Sequence, residues 1–388
     1  MNYSDETIAL AALSDIFCYH PRTGAALYER VGGAAAIFSL GHEGLRELLG
    51  PGSPLTDSIG NAALDKAVDD LRKADSAGAR FLGVDSPDYP QLLRECPDYP
   101  LGLYVCSESP DSEIFSPAKS VAFVGTRDLS PYGRKWCEKL VGALGNCHTR
   151  ICVVSGLALG IDGIAHKTAL DAGLPTIAVM ATGIESIYPY QHIQLAKSIA
   201  SSPGSALVTT YPPGTSPLAT QFLSRNRIIA GLSEATVLVE SKVKGGGMIT
   251  ARHAADYGRD VFALPGRVED IRSGGCNLLI RDQIASALTD ADDLVRQLGL
   301  RNRILRRGKG FEEYLHARLS ASVPSEEIPG LISLARTVRN ESGISVSELA
   351  ALTGRDTASV ISDIMLLQGE GILSVDILQR CSIITKNM

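Results

Sequence analysis

Six short apolar runs between residues 120 and 266 constrain this chain more than any other feature. They cover 120–125, 151–156, 176–181, 206–211, 235–240 and 261–266, and none shows polar alternation. A strand solvated on one face alternates apolar and polar residues, so these runs read as strands covered on both faces. The segments between them are long enough for helices. Ser130-Pro131 and Ser216-Pro217 supply a serine cap with proline in the first turn, and another helix runs from the glycines at 160–163 to near Gly173. The order predicts an α/β fold: a doubly wound, Rossmann-like parallel sheet with helices on each side.

In such a sheet the carboxyl ends of the strands and the helix amino termini share one crevice, where free N–H groups and helix dipoles favour anions. Gly125-Thr126-Arg127, Ser155-Gly156-Leu157-Ala158 and Gly245-Gly246-Gly247-Met248 fall on that edge. Each alone is also compatible with a plain tight turn. The stretch 224–233, Ser-Arg-Asn-Arg-Ile-Ile-Ala-Gly-Leu-Ser, adds the charge. On a helix, Ile228, Ile229 and Leu232 share a stripe with Arg225, while Asn226 and Arg227 begin the other side. A guanidinium beside a buried stripe needs a fixed partner, either a bracing carboxylate or a bound anion, most simply phosphate. The spacing of Gly156, Gly160 and Gly163 is not that of a dinucleotide fingerprint, and no phosphate-loop G-x-x-x-x-G-K-[ST] occurs, so no cofactor is expected.

Several longer motifs stand in order between roughly residues 80 and 290. They are Val124-Gly125-Thr126-Arg127; Ser155-Gly156-Leu157-Ala158 with Gly160-Ile161-Asp162 and Ala165-His166; Phe222 with 225–233; and Gly258-Arg259 with Val261-Phe262-Ala263-Leu264-Pro265-Gly266. This set resembles the DNA-processing protein A family, DprA or Smf. The resemblance implies an extended Rossmann core that dimerises, binds and protects single-stranded DNA, and loads the recombinase RecA in natural transformation. The chain departs from the family pattern at Ser241 and Gly245-Gly246-Gly247, at Thr210-Tyr211 and at Gln283-Ile284. Those departures touch pocket geometry rather than the arginine loops.

At 388 residues the chain has room for two or three domains. Residues 1–78 read as helices, ending one at Gly32-Gly33, and suit a sterile-alpha-motif or helix-hairpin-helix bundle. That hairpin has few basic neighbours, so a scaffold or interaction role is expected. Residues 81–104 read as an extended lead-in packed on the edge of a core spanning 79–295. A linker follows at 296–330: first basic (Arg296, Arg301, Arg303, Arg306, Arg307, Lys309), then flexible around Pro324 and Pro329. Residues 331–388 read as three helices and a β-hairpin, with 344–350 and 357–364 helical and 372–373 and 383–384 as wing strands, and resemble a winged helix. This tail carries Arg336, Arg339, Arg355, Arg380 and Lys386 against six acids, and its second helix-turn-helix helix has no basic residue from Asp356 through Gln368.

Acids at Asp5 and Glu6, and the lack of a long apolar stretch, read as cytoplasmic with no membrane partner. The eight cysteines form no C-x-x-C pair and the seven histidines no ligand spacing, so no metal is expected; His166 reads as a polar core residue. The net charge of −6 argues against diffuse polyanion affinity, so nucleic-acid binding requires a local basic field. Arg127, Arg134, Lys135, Arg225, Arg227, Lys242 and Lys244 are the candidates. The reading is therefore a sequence-tolerant binder of single-stranded DNA and not an enzyme. Thr126, Arg127, Gly156, Arg225, Asn226 and Arg227 hold phosphates, aided by Lys242 and Lys244, and Phe222 stacks on a base. The rival is a Rossmann enzyme cleaving nucleoside monophosphates, with Glu240 and Asp162 as its carboxylates; no second carboxylate stands at motif spacing from Glu240, and the P-G-G-x-G-T loop expected of that group is missing.

Overall fold

Val121, Phe123, Val153, Ile177, Val208 and Val237 lose almost all solvent contact because helices close both faces of one sheet. The structure, a computed structural model, describes residues 3–300, 312, 315, 316, 318–320, 322–341, 343–376 and 379–384. The chain divides into two compact units, Met1–Arg303 and Ile304–Met388.

The first unit is built on a nine-stranded sheet. Its strands are β1 (Ala79–Gly83), β2 (Gly102–Cys106), β3 (Lys119–Gly125), β4 (Ile151–Ser155), β5 (Thr176–Val179), β6 (Ala206–Thr209), β7 (Ala235–Glu240), β8 (Asp260–Ala263) and β9 (Ser286–Ala287). Their order is β1-β2-β6-β5-β4-β3-β7-β8-β9, parallel from β6 to β9. All six apolar runs are strands, as the missing alternation requires. The lead-in goes further than packing on the edge: β1 and β2 join the sheet as an antiparallel hairpin beside β6.

Six helices precede the sheet: α1 (Asp5–Ile16), α2 (Pro21–Val31), α3 (Ala34–Ser39), α4 (Gly41–Leu49), α5 (Leu55–Ser58) and α6 (Asn61–Ser76). The helices lie between residues 5 and 76, and they do not stand apart from the core. Leu10, Leu13 and Phe17 of this segment join one apolar cluster with Leu82, Leu103 and Ile228. Two short helices, α7 (Gln91–Arg94) and α8 (Asp111–Ile114), flank β2. The crossover helices are α9 (Pro131–Gly145), α10 (Ile161–Asp171), α11 (Ile193–Ser201), α12 (Ala219–Gly231), α13 (Gly246–Asp256) and α14 (Gly274–Arg281). Ser130 caps α9 as its sequence predicts, accepting from the Gly133 N–H at 3.1 Å. Helix α12 starts three residues after Ser216, because the Gln221 side chain accepts from the Leu218 N–H at 2.8 Å and fixes the first turn there.

Helix α15 (Ala291–Gln297) crosses the expected end of the core at 295, with Leu298 and Leu300 packed beside it. Its Arg296 lies within 4 Å of Asp290 and Asp293, so it is not part of a free basic run. Arg301, Arg303, Arg306, Arg307 and Lys309 lie outside the described residues.

The second unit has helices at Ile328–Asn340, Val346–Thr353 and Thr357–Gly369, and strands β10 (Ile344–Ser345), β11 (Leu373–Val375) and β12 (Arg380–Ile383) in the order β10-β12-β11. Ser345 and Glu348 close a capping box at the start of its second helix. Leu315, Leu319 and Val323 belong to this unit's core. That corrects the flexible-linker expectation at these three positions: their four-residue spacing is an apolar stripe that the nearby prolines and serines masked.

Candidate nucleic-acid interface

The carboxyl ends of β3, β4 and β7 open onto a cleft of about 420 Å³. Its walls are the loop after β3, the start of α10, the middle of α12 and the glycine loop from β7 into α13. The sheet runs one way from β3 through β4, β5 and β6, and the other way through β7, β8 and β9. The cleft therefore sits at the topological switch point, where open α/β sheets bind ligands.

The β3 loop is held at both ends. After a bulge at Val124–Gly125, the Thr126 N–H donates to the Glu240 carbonyl at 2.7 Å, and the Thr126 carbonyl accepts from the Ile161 N–H at 3.2 Å. Gly160 passes so close, at φ +84°, that a Cβ there would strike the Thr126 carbonyl oxygen; only glycine meets both conditions. The pinned loop presents Arg127 to solvent.

Arg225 is only 4% exposed, yet its guanidinium lines the cleft. Its Nη1 donates to the carbonyls of Gly156, at 2.7 Å, and Val179. Burial lowers its pKa to about 10 against the attraction of Asp162, so the group stays charged at neutral pH. Asp162 responds in the opposite sense: burial raises its carboxyl above the usual range, and Arg225 opposes the rise. Gly156 lies against both, since a Cβ there would stand 2.5 Å from Arg225 Nη2 and 2.7 Å from Asp162 Oδ2. Bracing and cleft charge thus meet in one side chain.

Phe222 is half-buried at the cleft wall. The Arg127 and Arg225 guanidinium carbons lie 5.1 and 5.9 Å from its ring centroid. Across the cleft, Lys242 and Lys244 are exposed and lead into α13, whose first N–H groups have no side-chain cap. Uncapped N–H groups and the helix dipole attract anions. The Asn226 amide reaches toward this turn, 3.4 Å from the Gly246 carbonyl.

Thr126, Arg127, Phe222, Arg225, Asn226, Lys242 and Lys244 therefore come together around one cavity. Gly156 and Arg227 do not line it. Gly156 stands behind Arg225 as its carbonyl partner. Arg227 is placed elsewhere: it donates to the Asp98 carbonyl and borders a small void with Ser14, Cys18 and Tyr99. The one-face reading of α12 fails because Arg225, Asn226, Arg227 and Ile228 are all buried. From Arg225 to Gly231 every residue is buried, which leaves no wet face there for periodicity to find.

Other candidates have internal duties. Both Glu240 oxygens are bound by Ser130, from its N–H at 2.9 Å and its hydroxyl at 2.7 Å, so this carboxylate caps α9. His166 is fully buried, 2.7 Å from the Thr176 hydroxyl, and burial lowers its pKa to about 3. The amino terminus of α3 after Gly32-Gly33 is occupied by Glu6, which accepts from Ala34 and Ala35 at 2.6 and 2.9 Å. In the second unit Arg355 is paired with Asp363 at 2.7 Å. Among the described residues no His, Cys, Asp and Glu group is placed to hold a metal ion, and no helix is long and apolar enough to cross a membrane. Sequence reasoning missed Tyr188, whose ring meets Phe222 at 5.5 Å; an aromatic residue in a loop carries no periodic signal.

The family described as DNA recombination-mediator protein A matches residues 80–299. Protein Smf of Synechocystis sp. is 38% identical over 229 residues, 59% of this chain and 56% of that protein. DNA processing protein DprA of Bacillus subtilis is 37% identical over 225 residues, 58% of this chain and 73% of that protein. The chain thus spans little more than half the length of the first of these relatives. The X-ray structure of DprA from Streptococcus pneumoniae superposes with a TM-score of 0.62 at 30% identity, covering 76% of this chain and 99% of that one. A structure of DNA processing protein A from Helicobacter pylori, described for its single-stranded DNA binding mode, gives 0.51 at 26% identity, covering 57% and 97%.

Proposed function

Because this chain belongs to the DNA recombination-mediator protein A family, we propose that its cleft holds the phosphate backbone of single-stranded DNA without sequence preference. The observation that carries this reading is the switch-point cleft itself. It gathers exposed Arg127, Lys242 and Lys244 over the buried, charged Arg225 in a chain of net charge −6. A local basic field of this kind is what polyanion binding needs. Thr126, Asn226 and the first N–H groups of α13 add neutral donors.

In this reading the protein is cytoplasmic, protects incoming strands and loads the RecA recombinase during natural transformation. It works as a homodimer through its core, so two cleft sites engage one strand and avidity adds to each. It carries out no nucleotide hydrolysis: the commitment of both Glu240 oxygens to Ser130 weighs against the rival in which that carboxylate acts on a nucleotide. The second unit is a winged helix that contacts protein rather than duplex DNA, since its exposed Ile361 and Met365 stand where a groove-reading helix needs lysine or arginine. Binding of labelled oligonucleotides by wild-type protein and by Arg127→Ala tests the reading: loss of affinity shared by all single-strand sequences supports it, and equal binding by the two proteins rejects it.

A further inference from the structure

Base stacking needs a ring face open to solvent, and the ring on the cleft wall is already engaged. Phe222 is half-buried and carries two guanidinium carbons over its ring, at 5.1 and 5.9 Å from the centroid. Such cation–ring contacts are themselves favourable, so a base arriving there must displace one.

The next ring outward is Tyr188. Its centroid lies 5.5 Å from that of Phe222, with the planes at 64°, and the residue is 45% exposed. Two residues on, Tyr190 is 73% exposed. Elsewhere Tyr89, Tyr99, Tyr211 and Tyr257 spend their hydroxyls on internal hydrogen bonds. Neither Tyr188 nor Tyr190 has such a partner among the described residues. The segment carrying them is nonetheless held in place. The Gly183 N–H donates to the Thr215 carbonyl at 3.0 Å, the Thr182 hydroxyl to the Ser186 carbonyl at 2.5 Å, and His192 Nδ1 to the Leu157 carbonyl at 2.8 Å. Two exposed rings on an anchored loop are an unusual placement in a chain that is 5% aromatic.

We propose that Tyr188 and Tyr190 form a stacking platform for the bases of the strand whose phosphates the cleft holds. This rests on the phosphate-holding reading of the cleft. Arg127 joins the two parts, because its guanidinium and the Tyr188 ring pack on the same Phe222 ring, 5.1 and 5.5 Å from its centroid; in the proposed arrangement phosphate sits at the one and base at the other. Stacking tolerates any base, in keeping with a site that reads no sequence.

The test compares a labelled dT 20-mer with an abasic 20-mer, which keeps the phosphates and lacks the bases. Tyr188→Ala is expected to weaken dT binding at least about fivefold, with Tyr190→Ala adding to the loss and Tyr188→Phe binding as wild type. Abasic binding and the salt dependence stay unchanged in all three. Thermal melting confirms that each variant is folded, and Tyr190→Ala keeps the test open if Tyr188→Ala is not. Wild-type affinity for dT in the folded double variant overturns the platform while leaving the cleft reading intact, as does an equal loss on both oligonucleotides. Failure of wild-type protein to bind either strand overturns both.

Discussion

Arg127→Ala separates the cleft's charge from the stability of the fold better than any other change. Arg127 is exposed, and among the described residues its side chain meets the Phe222 ring at 5.1 Å. Removing an exposed cation–ring contact costs about 0.5–1 kcal/mol, so the melting temperature should fall by no more than a few degrees. Binding should suffer more. A hydrogen bond to a charged group contributes about 1.5–3 kcal/mol, which corresponds to about 10- to 150-fold in affinity. The salt dependence gives a second readout. Each phosphate neutralised on a single strand contributes about −0.7 to the slope of log K against log salt. With Arg127, Lys242 and Lys244 each engaging one phosphate, each cleft on the strand contributes about −2 to the slope, and the variant loses about 0.7 of that per cleft. Fluorescence anisotropy of a labelled dT 20-mer over a sodium chloride series measures both. An unchanged affinity and slope in the folded variant, or a loss confined to particular sequences, refutes the reasoning. Arg225→Ala is less informative, because it strands the carbonyls of Gly156 and Val179 and leaves Asp162 buried without its cation.

Gly156→Ala places a methyl 2.5 Å from Arg225 Nη2; overpacking of this kind costs about 1–3 kcal/mol, so both melting temperature and single-strand affinity should fall, and a variant unchanged in both contradicts the bracing role of Gly156. His166 is buried neutral, with its pKa lowered from 6.5 to about 3. Its contribution to stability is present above pH 6.5 and is lost as the pH falls toward 3, up to about 5 kcal/mol at 1.36 kcal/mol per pH unit. Denaturant titrations between pH 7 and 4 should show that decline, and His166→Gln should flatten it; parallel curves would disprove the assignment. Deleting everything after residue 310 should leave single-strand affinity within about threefold, a change under about 1 kcal/mol. A much larger loss would give the second unit a direct part in holding the strand.

Most of what positions the cleft follows from residues read in order. The runs at 120–125 and 235–240 lack alternation because both sheet faces are covered, and that alone places their loops at one edge. Thr126, Arg127, Lys242 and Lys244 were legible because loop position follows from strand order. Arg227 was not, since the helical period separates buried from wet only where a wet side exists, and the middle of α12 has none. Gly156 was legible as a special backbone position but not as the partner of Arg225, a contact made across 69 residues. The sheet edges were the least visible parts. β9 has two residues, and β1 and β2 pair through a register that no local pattern encodes. The core leucines at 315 and 319 were hidden by neighbouring serines and prolines that suggested a linker.

The measurement closest to the central claim is a salt titration of the full-length protein against three labelled 20-mers: dT, a mixed-sequence single strand and a duplex. The account predicts that the two single strands bind alike, with a slope of about −2 for each cleft engaged. It predicts duplex binding weaker by at least about fivefold, because paired bases cannot stack on protein rings. Binding that prefers the duplex, that differs strongly between the two single strands, or that shows no salt dependence would contradict it.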